Sequence, residues 1–407
     1  MSVANTIFRS FIQAGIECST HINVRGKRLD LLRTTQHECF AREDYLRLRQ
    51  FGIQTVRNAA RWHLIEQTPG SYNFESLDCV LDPAEECGLE IILDILHFGV
   101  PHHVDVLSHR FPDDFAQFTR AFVQYLKRRT QFCPIVAPVN EVSFMSWAGA
   151  EKAAISPFVV NQGRKLKRNL IKAAVAASEI LLNEIPGVRL IWPEPAIHIV
   201  GDPTIPGDME EATAYTLAYF EAWDMLSGRL APELGGRPEY LDVIGVNFYW
   251  RNEWVHNSGP ISRHDPRWRP LRTILEDVWN RYGRPLFISE TGTEDEYRGE
   301  WFDYICNEVS AALRAGVPVK GICWYPIFNH PGWDDDRHCH NGLFDYADEV
   351  GNREVHRPLA ESILRQQERF AQKVKTTYDS ERTRHDLLLP SSMGVCLPAA
   401  PAFNEPV

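Results

Sequence analysis

The stretch "PIVAPVNE" (134–141) is apolar over most of its length and ends on a carboxylate, Glu141. A second stretch, "PLFISETG" (285–292), has the same character and carries Glu290 close to its end. Near-continuous apolar runs of this length are typical of parallel strands that helices cover on both faces. Both stretches are therefore predicted to be buried strands that present a glutamate at their carboxyl ends.

Six further apolar runs share these features, so that a strand followed by an amphipathic segment recurs eight times. The other runs are "FIQAGIEC" (11–18), "TVRNAARW" (55–62), "LEIILDIL" (89–96), "VRLIWPEP" (188–195), "LDVIGVNFY" (241–249) and "VKGICWYPI" (319–327). Eight strand–helix units predict an α/β fold, a (β/α)8 TIM barrel that forms a single domain with enlarged βα loops. The alternative is a doubly wound open sheet, but no GxGxxG motif follows the first strand.

The ends of the amphipathic segments support helices between these strands. The segment 111–129 begins with a proline and two aspartates, which are favoured in the first turn of a helix. Several segments end on a glycine, the residue that most easily adopts the left-handed C-cap. These glycines are Gly52, Gly88, Gly228, Gly283 and Gly316.

The composition narrows the class of protein. With 407 residues, 44% hydrophobic and 24% charged, the chain is typical of a globular protein with a large core. Its net charge of −11 disfavours a nucleic acid or an anionic membrane as partner. Nine cysteines without repeated spacing predict reduced thiols, and the N-terminal stretch lacks the ordered regions of a signal peptide. We therefore expect a cytoplasmic protein.

The last part of the chain differs from the rest. We expect residues 1–376 to form the barrel and residues 377–407 to form a separate tail. The stretch "LLLPSSMGVCLPAAPAFNEPV" (387–407) mixes Pro, Ala and Ser without a period. Such a segment is predicted to be disordered or to lie over the barrel surface.

In a barrel the positions of the two glutamates indicate an active site, because the active site of this fold lies at the carboxyl ends of the strands. Glu141 ends the fourth strand and Glu290 the seventh, so both carboxyl groups are predicted to meet over the barrel mouth. Cleavage of a glycosidic bond requires such a pair, one member protonated to assist the leaving oxygen and the other ionised to attack the sugar. Structural ion pairs at two strand ends are the alternative.

The motifs around these glutamates resemble those of clan A retaining glycosidases, in particular family 1 β-glucosidase-like enzymes. The matching stretches, in chain order, are "VRNAARWHLIEQTPGSYNFESLD" (56–78), "LHFGVPHHV" (96–104), "VNE" (139–141), "IGVNFYW" (244–250), "SETG" (289–292), "GICWYPIFN" (321–329) and "NGLFDYADE" (341–349). The resemblance covers roughly residues 11–350. It implies a β-glycosidase that acts on a small glycoside through a covalent glycosyl-enzyme intermediate.

The resemblance also implies site residues. The catalytic pair is Glu290 as nucleophile and Glu141 as general acid and base; the candidate substrate-binding residues are Asn140, Arg57, His97, Tyr249, Asn247 and Trp324. Arg57 and Tyr249 are expected to keep Glu290 ionised, because a cation and a hydrogen bond lower a carboxyl pKa. The alternatives are purely structural roles: a barrel-floor ion pair for Arg57, a core histidine for His97 and core filling for Trp324.

Three departures from the family pattern leave the sugar undefined. Val142 replaces a proline, the first strand lacks the glutamine that holds distal hydroxyls, and "NHPGWDDDRHCHNG" (329–342) replaces a glutamate–tryptophan clamp. The stretch "GIECSTHINVRG" (15–26) instead resembles a smaller bacterial set of family-1-like domains, some fused to sugar-nucleotide reductases. A transglycosylase with the same intermediate and a non-hydrolytic carbohydrate-binding barrel remain alternatives.

The loop 329–342 contains side chains of metal-binding type, but the spacing D-D-D-R-H-C-H fits no calcium loop or zinc site. We predict a solvated loop that lines the cleft, with Trp333 and Asp334 as candidate specificity residues. No cofactor and no metal is expected. The expected partner is a small-molecule carbohydrate, without nucleic acid or membrane, and the sequence carries no signal for an oligomeric state.

Overall fold

Eight parallel strands form a closed barrel in the computed structural model, which describes residues 7–129 and 134–388. The strands are β1 Ile12–Gly15, β2 Thr55–Ala59, β3 Glu90–Leu96, β4 Ile135–Val139, β5 Arg189–Pro195, β6 Val243–Asn247, β7 Leu286–Thr291 and β8 Val319–Trp324. Each strand pairs with the next along the chain, and β8 returns to β1 with Ile322 opposite Ile12. The predicted (β/α)8 barrel is confirmed.

Helices of the described residues surround the barrel. They are α1 Leu31–Thr34, α2 His37–Gln50, α3 Trp62–Ile65, α4 Glu75–Glu86, α5 Phe111–Leu126, α6 Val142–Ala150, α7 Gly163–Glu184, α8 Asp208–Leu217, α9 Glu221–Leu226, α10 Leu271–Tyr282, α11 Arg298–Arg314 and α12 Arg357–Leu388. The predicted glycine ends are confirmed, because Gly52, Gly88, Gly228, Gly283 and Gly316 all have positive φ. Helix α5 begins with Pro112 in its first turn, as predicted.

An apolar layer fills the barrel interior toward the amino ends of the strands. Its members are Phe8, Ile92, Ile135, Ala137, Ile191, Val243 and Phe287. Phe8 precedes β1 and packs its ring 4.8 Å from that of Phe287. Because strand residues two apart share a face, Asp94 follows Ile92 on the inward face of β3. The charged layer that contains Asp94 therefore lies next to this apolar layer, on the side of the carboxyl ends of the strands.

Enlarged loops cover the carboxyl ends of the strands. Short strand pairs in them are His198–Val200 with Glu253–Val255, His330–Pro331 with His338–Cys339, and Phe344–Ala347 with Arg353–Val355. Single 3-10 turns occur at Ala218–Phe220, Pro232–Leu234, Pro238–Tyr240 and Asp295–Tyr297. The predicted enlargement of the βα loops is thus present.

The end of the described chain is helical. Helix α12 runs through the predicted boundary at 376/377, and residues 389–407 of the predicted tail lie outside the described residues. Among the helices of residues 7–129 and 134–388, none has the combination of length and apolar character that crossing a bilayer requires.

Candidate active site

Glu141 lies at the point where β4 turns into helix α6. Its backbone amide donates to the Pro193 carbonyl of β5 (3.0 Å), while the preceding amide of Asn140 donates to the Leu96 carbonyl of β3 (2.9 Å). The residue has φ +47°, a left-handed conformation that costs a non-glycine residue of order 1–3 kcal/mol. The neighbouring strands therefore hold Glu141 in a strained position above the barrel axis.

Glu290 lies near the end of β7, and both of its carboxylate oxygens accept hydrogen bonds. Arg57 Nη1 donates to Oε1 (2.7 Å), and the Tyr249 hydroxyl donates to Oε2 (2.9 Å). Burial raises the pKa of Glu290, but the Arg57 guanidinium and the Tyr249 hydrogen bond oppose that rise. Both donors favour the ionised carboxylate.

Glu141 has a different environment. Asn247 Nδ2 donates to its Oε1 (2.7 Å), and the amide carries no charge. Burial, and then the negative charge of Glu290, raise the pKa of Glu141 to about 8. Asn247 lies opposite Glu290 in the strand register and is itself held through a 2.5 Å hydrogen bond from the Ser289 hydroxyl. At neutral pH the protonated member of the pair is therefore Glu141.

Arg57 connects this pair to a residue that the sequence analysis did not single out, Asp94. The guanidinium donates to both oxygens of Asp94 from Nε (3.0 Å) and Nη2 (2.6 Å), and Nη2 also donates to Asn140 Oδ1 (2.6 Å). Burial alone would raise the pKa of Asp94, but Arg57 and His97 hold it below its ordinary value. A lone aspartate inside the apolar run "EIILDIL" was the signal that could have identified it.

His97 is fixed by the same carboxylate. Its Nδ1 lies 2.8 Å from Asp94 Oδ2, and its Nε2 lies 3.4 Å from both Asn140 Nδ2 and the Tyr325 hydroxyl. The Nδ1–Asp94 contact orients the ring toward Asn140 and Tyr325. The predicted contacts of His97 and Asn140 with a sugar stay predictions.

Tyr325, and not Trp324, faces the cleft. Trp324 is fully buried, donates from Nε1 to the Asn341 carbonyl (3.0 Å) and packs against Phe302 of α11. This placement corresponds to the core-filling alternative. Tyr325 lines an adjoining cleft of about 850 Å³, together with Tyr249 and Trp301. The Arg57 guanidinium lies 5.6 Å from the centre of the Tyr325 ring, so this ring joins the site.

The loop 329–342 is fastened on both sides of the mouth. Asn23 Nδ2 donates to the Trp333 carbonyl (2.6 Å) on one side, and Arg337 pairs with Glu294 through two 2.6 Å hydrogen bonds on the other. The Trp333 indole packs edge-on against the His21 ring, 4.7 Å away. Trp333 thus belongs to the wall of the mouth, whereas Asp334 is exposed.

The histidines and aspartates of this loop do not form one cluster, because neighbours in the sequence contact different partners. Asp336 contacts Lys27 (2.6 Å), and His338 instead lies 2.8 Å from Asp345. The rings of His338 and His340 stack 4.2 Å apart at 20°. His338, His340 and Asp345 each place one possible ligand atom within 4.8 Å of the others. The expectation that no metal binds this loop stays a prediction.

Comparisons with known proteins agree with the architecture. A family model described as Glyco_hydro_42, beta-galactosidase, matches residues 34–137, and no curated protein matches the chain. The family 1 β-glucosidase from Thermotoga maritima has a TM-score of 0.69 at 16% identity, covering 89% of this chain and 99% of that chain. A hyperthermophilic β-glucosidase mutant gives 0.70 at 15% identity, covering 87% and 99%.

A further solved structure, the β-glycosidase from Thermosphaera aggregans, gives a TM-score of 0.67 at 17% identity, covering 82% of this chain and 85% of that chain. At such identities the likeness concerns the fold. The chain thus shares the barrel fold of these enzymes, and the resemblance to family 1 β-glucosidases that the motifs indicated is confirmed at the level of the fold.

Proposed function

We propose that the protein is a retaining β-glycosidase that hydrolyses the O-glycosidic bond of a small glycoside. The observation that carries this proposal is the unequal environment of two buried glutamates. Glu290 accepts from a guanidinium and a phenol, whereas Glu141 accepts from a neutral amide. One carboxyl group is thereby suited to act as a nucleophile and the other as an acid.

In the first step, a carboxylate oxygen of Glu290 attacks the anomeric carbon while the bond to the leaving oxygen breaks. Glu141 gives its proton to that oxygen, so the aglycone departs as a neutral alcohol. Arg57 and Tyr249 hold the attacking carboxylate in a fixed direction. The product of this step is a glycosyl ester on Glu290.

In the second step, the ionised Glu141 accepts a proton from water, whose oxygen attacks the same anomeric carbon. The ester bond breaks, Glu290 is released as a carboxylate, and Glu141 is protonated again. Two displacements retain the anomeric configuration. The burial that raises the pKa of Glu141 to about 8 supports its return to the acid form at neutral pH.

A panel of aryl β-glycosides tests the proposal. We expect turnover, with the β-anomer as the first product in a proton NMR time course. A 2-fluoro-glycoside should add one glycosyl mass to the peptide that contains Glu290, and Glu290→Gln should abolish that adduct. An α-anomer as first product would exclude retention.

The same panel separates the alternatives. Products longer than the substrate, formed only after addition of an acceptor sugar, would indicate transglycosylation. Saturable sugar binding without turnover and without the covalent adduct would indicate a carbohydrate-binding barrel. The departures of the first strand and of loop 329–342 support a glycone different from that of family 1 β-glucosidases.

The cytoplasmic location expected from the sequence stays a prediction.

A further inference from the structure

A third buried carboxylate lies directly beside the proposed acid. Glu194 belongs to β5 and follows Pro193, whose carbonyl accepts the backbone amide of Glu141. Only 2% of Glu194 is exposed. Its Oε2 accepts from the backbone amide of Ser143 at 3.0 Å, and its Oε1 lies 3.4 Å from the same nitrogen. Strand β5 therefore holds the Glu141 segment through both backbone and side chain.

This contact falls at the start of helix α6, whose first residue is Val142. The first amides of a helix have no partner within it, and a negative side chain stabilises them and the positive end of the helix dipole. Glu141 immediately precedes this helix and has positive φ. A carboxylate that binds the Ser143 amide thus restrains the backbone from which the Glu141 side chain projects.

The contact also has an electrostatic consequence. Besides the neutral Asn247 amide, the titratable groups that interact with the Glu141 carboxyl group include Glu290, Glu194, His97 and the Tyr249 hydroxyl. Glu290 and Glu194 both favour its protonated form, whereas His97 favours the ionised form. Burial raises the pKa of Glu194 to about 7, although the Ser143 contacts and Lys167 oppose that rise. Glu194 is therefore mostly ionised near pH 8, where Glu141 titrates. Neither β4 nor α6 supplies the second negative charge, which comes from β5.

We propose that Glu194 is a positioning residue for Glu141: its carboxylate caps helix α6 and places a second buried negative charge beside the general acid. The proposal rests on the proposed glycosidase function for its meaning. The contacts from which it is drawn do not depend on that function. Glu194 acts through the segment 141–143, where it accepts a hydrogen bond from the Ser143 amide.

Two substitutions separate the two effects. In Glu194→Gln the side-chain oxygen can still accept from the Ser143 amide, but the charge is gone. In Glu194→Ala both the cap and the charge are gone. Glu253→Gln is a matched control, because Glu253 is also buried, accepts from Trp268 Nε1 (2.9 Å) and belongs to the loop after β6.

The experiment measures the titration of Glu141 directly, by 13C NMR of the full chain labelled at the glutamate carboxyl carbon and assigned with Glu141→Gln. We expect the apparent pKa of Glu141 to fall by roughly 0.5–1 pH unit in Glu194→Gln, because a like charge that favoured the protonated form is lost. Glu253→Gln should leave it unchanged. An identical titration in wild type and Glu194→Gln would overturn the proposal.

Kinetics supply a second readout. In Glu194→Gln the basic limb of kcat/KM should move to lower pH for an alkyl glycoside and stay in place for a dinitrophenyl glycoside, which needs no acid. Glu194→Ala should lose a further ~5-fold on the alkyl glycoside, since the helix cap is worth about 1 kcal/mol. Unmoved limbs for the alkyl glycoside would contradict the proposal. Absence of any turnover in wild type would instead refute the glycosidase, and the NMR titration would still decide the role of Glu194.

Discussion

Two buried centres of this molecule are built from the same residue types. In each, a fully buried arginine donates twice to an aspartate, and a histidine Nδ1 lies within 2.9 Å of that aspartate: the mouth centre is Arg57, Asp94 and His97, and the rim centre is Arg353, Asp44 and His37. The mouth centre lies above the barrel axis. The rim centre joins helix α2 to the strand Arg353–Val355 outside the barrel.

The centres differ in where the remaining donors of the arginine point. Arg353 directs them to backbone carbonyls, those of Thr35 (2.8 Å) and Asp345 (3.1 Å), which ties two segments together. Arg57 directs one of them to the side chain of Glu290, which is 5% exposed and belongs to the mouth. The arginine, aspartate and histidine are therefore alike in both centres, but Arg47 adds a second cation to Asp44 whereas Glu290 adds a second carboxylate to Arg57. The destination of the spare hydrogen bond distinguishes the candidate active site from a structural tie.

The largest difference should appear when each buried arginine loses a carboxylate partner, Glu290 for Arg57 and Asp44 for Arg353. Glu290→Gln should fold normally and lose on the order of 10⁴-fold or more in kcat/KM, because no nucleophile remains. Asp44→Asn should keep its kcat/KM per folded molecule and lower the free energy of unfolding, because Arg353 then lies buried without its carboxylate. Aryl-glycoside kinetics and urea unfolding of both variants measure this. Wild-type turnover in Glu290→Gln would refute the nucleophile assignment.

A matched pair of arginine substitutions sharpens the comparison. Arg353→Met should lower the free energy of unfolding by about 3–5 kcal/mol, since a buried pair loses one partner. Arg57→Met should lower kcat/KM by roughly 10²–10³-fold and move the acidic limb of the pH–rate profile to higher pH. The sign follows because the ionised Glu290 loses a favourable charge, so it binds a proton more readily. An acidic limb that stays in place would show that Arg57 does not keep Glu290 ionised.

The carboxyl group of Glu141 and that of Asp44 in the rim centre should respond to pH with opposite signs. The pKa of Glu141 rises from 4.5 to about 8 on burial, so the folded state binds this proton more tightly and stability is lost as the pH rises from 4.5 toward 8. For Asp44, burial alone would raise the pKa, but His37 and Arg353 hold it below 3.8. Its contribution is therefore present above that pH and is lost as the pH falls below it.

Urea unfolding at several pH values checks these signs. Glu141→Gln should be more stable than wild type by up to about 5 kcal/mol at pH 9, which is about 1.36 kcal/mol for each pH unit between 4.5 and 8. This difference should shrink at pH 5, where both side chains are neutral in the folded protein. Asp44→Asn should show its loss of stability at pH 7 and a smaller loss at pH 3. A gain in Glu141→Gln that is independent of pH would mean that charge burial is not its cause.

The smallest expected effect concerns two phenols. Tyr249→Phe removes one hydrogen bond from the ionised Glu290, so the acidic limb should move to higher pH, by less than in Arg57→Met. We expect about a 10-fold loss in kcat/KM. Tyr45→Phe is the control from the rim centre, where the hydroxyl lies 3.4 Å from His37 Nε2. An equal shift in both variants would show that the effect is not local to Glu290.

Much of this architecture could be predicted from the sequence. The apolar runs and their glycine stops follow from local rules of burial and backbone conformation, and they led to eight strands in the observed order. Arg57 and Tyr249 both contact Glu290, as the motifs on the second and sixth strands led us to expect. These predictions need only the position of a residue at the carboxyl end of a strand, because the closed barrel brings these ends together.

The remainder depends on which way a side chain faces. Asp94 and Glu194 lie within predicted strands, but a sequence does not show which neighbour from another strand each will meet. Trp324 is a predicted substrate-binding residue, but its side chain is fully buried and Tyr325 lines the cleft, for a related reason. Strand β8 has an irregular register between Ile322 and Trp324, and a slip of one residue exchanges the two faces of a strand. The aromatic residue that faces the cleft is therefore displaced by one position.

The hydrogen bonds of Arg57 reach across 37, 83 and 233 positions of the chain, to Asp94, Asn140 and Glu290. They join β2 to β3, to the end of β4 and to β7, so no half of the ring contains the complete set. An isolated half-barrel would thus have an arginine without its distant carboxylate. During refolding, the ability of Glu290 to form the covalent adduct should therefore return only after the ring has closed.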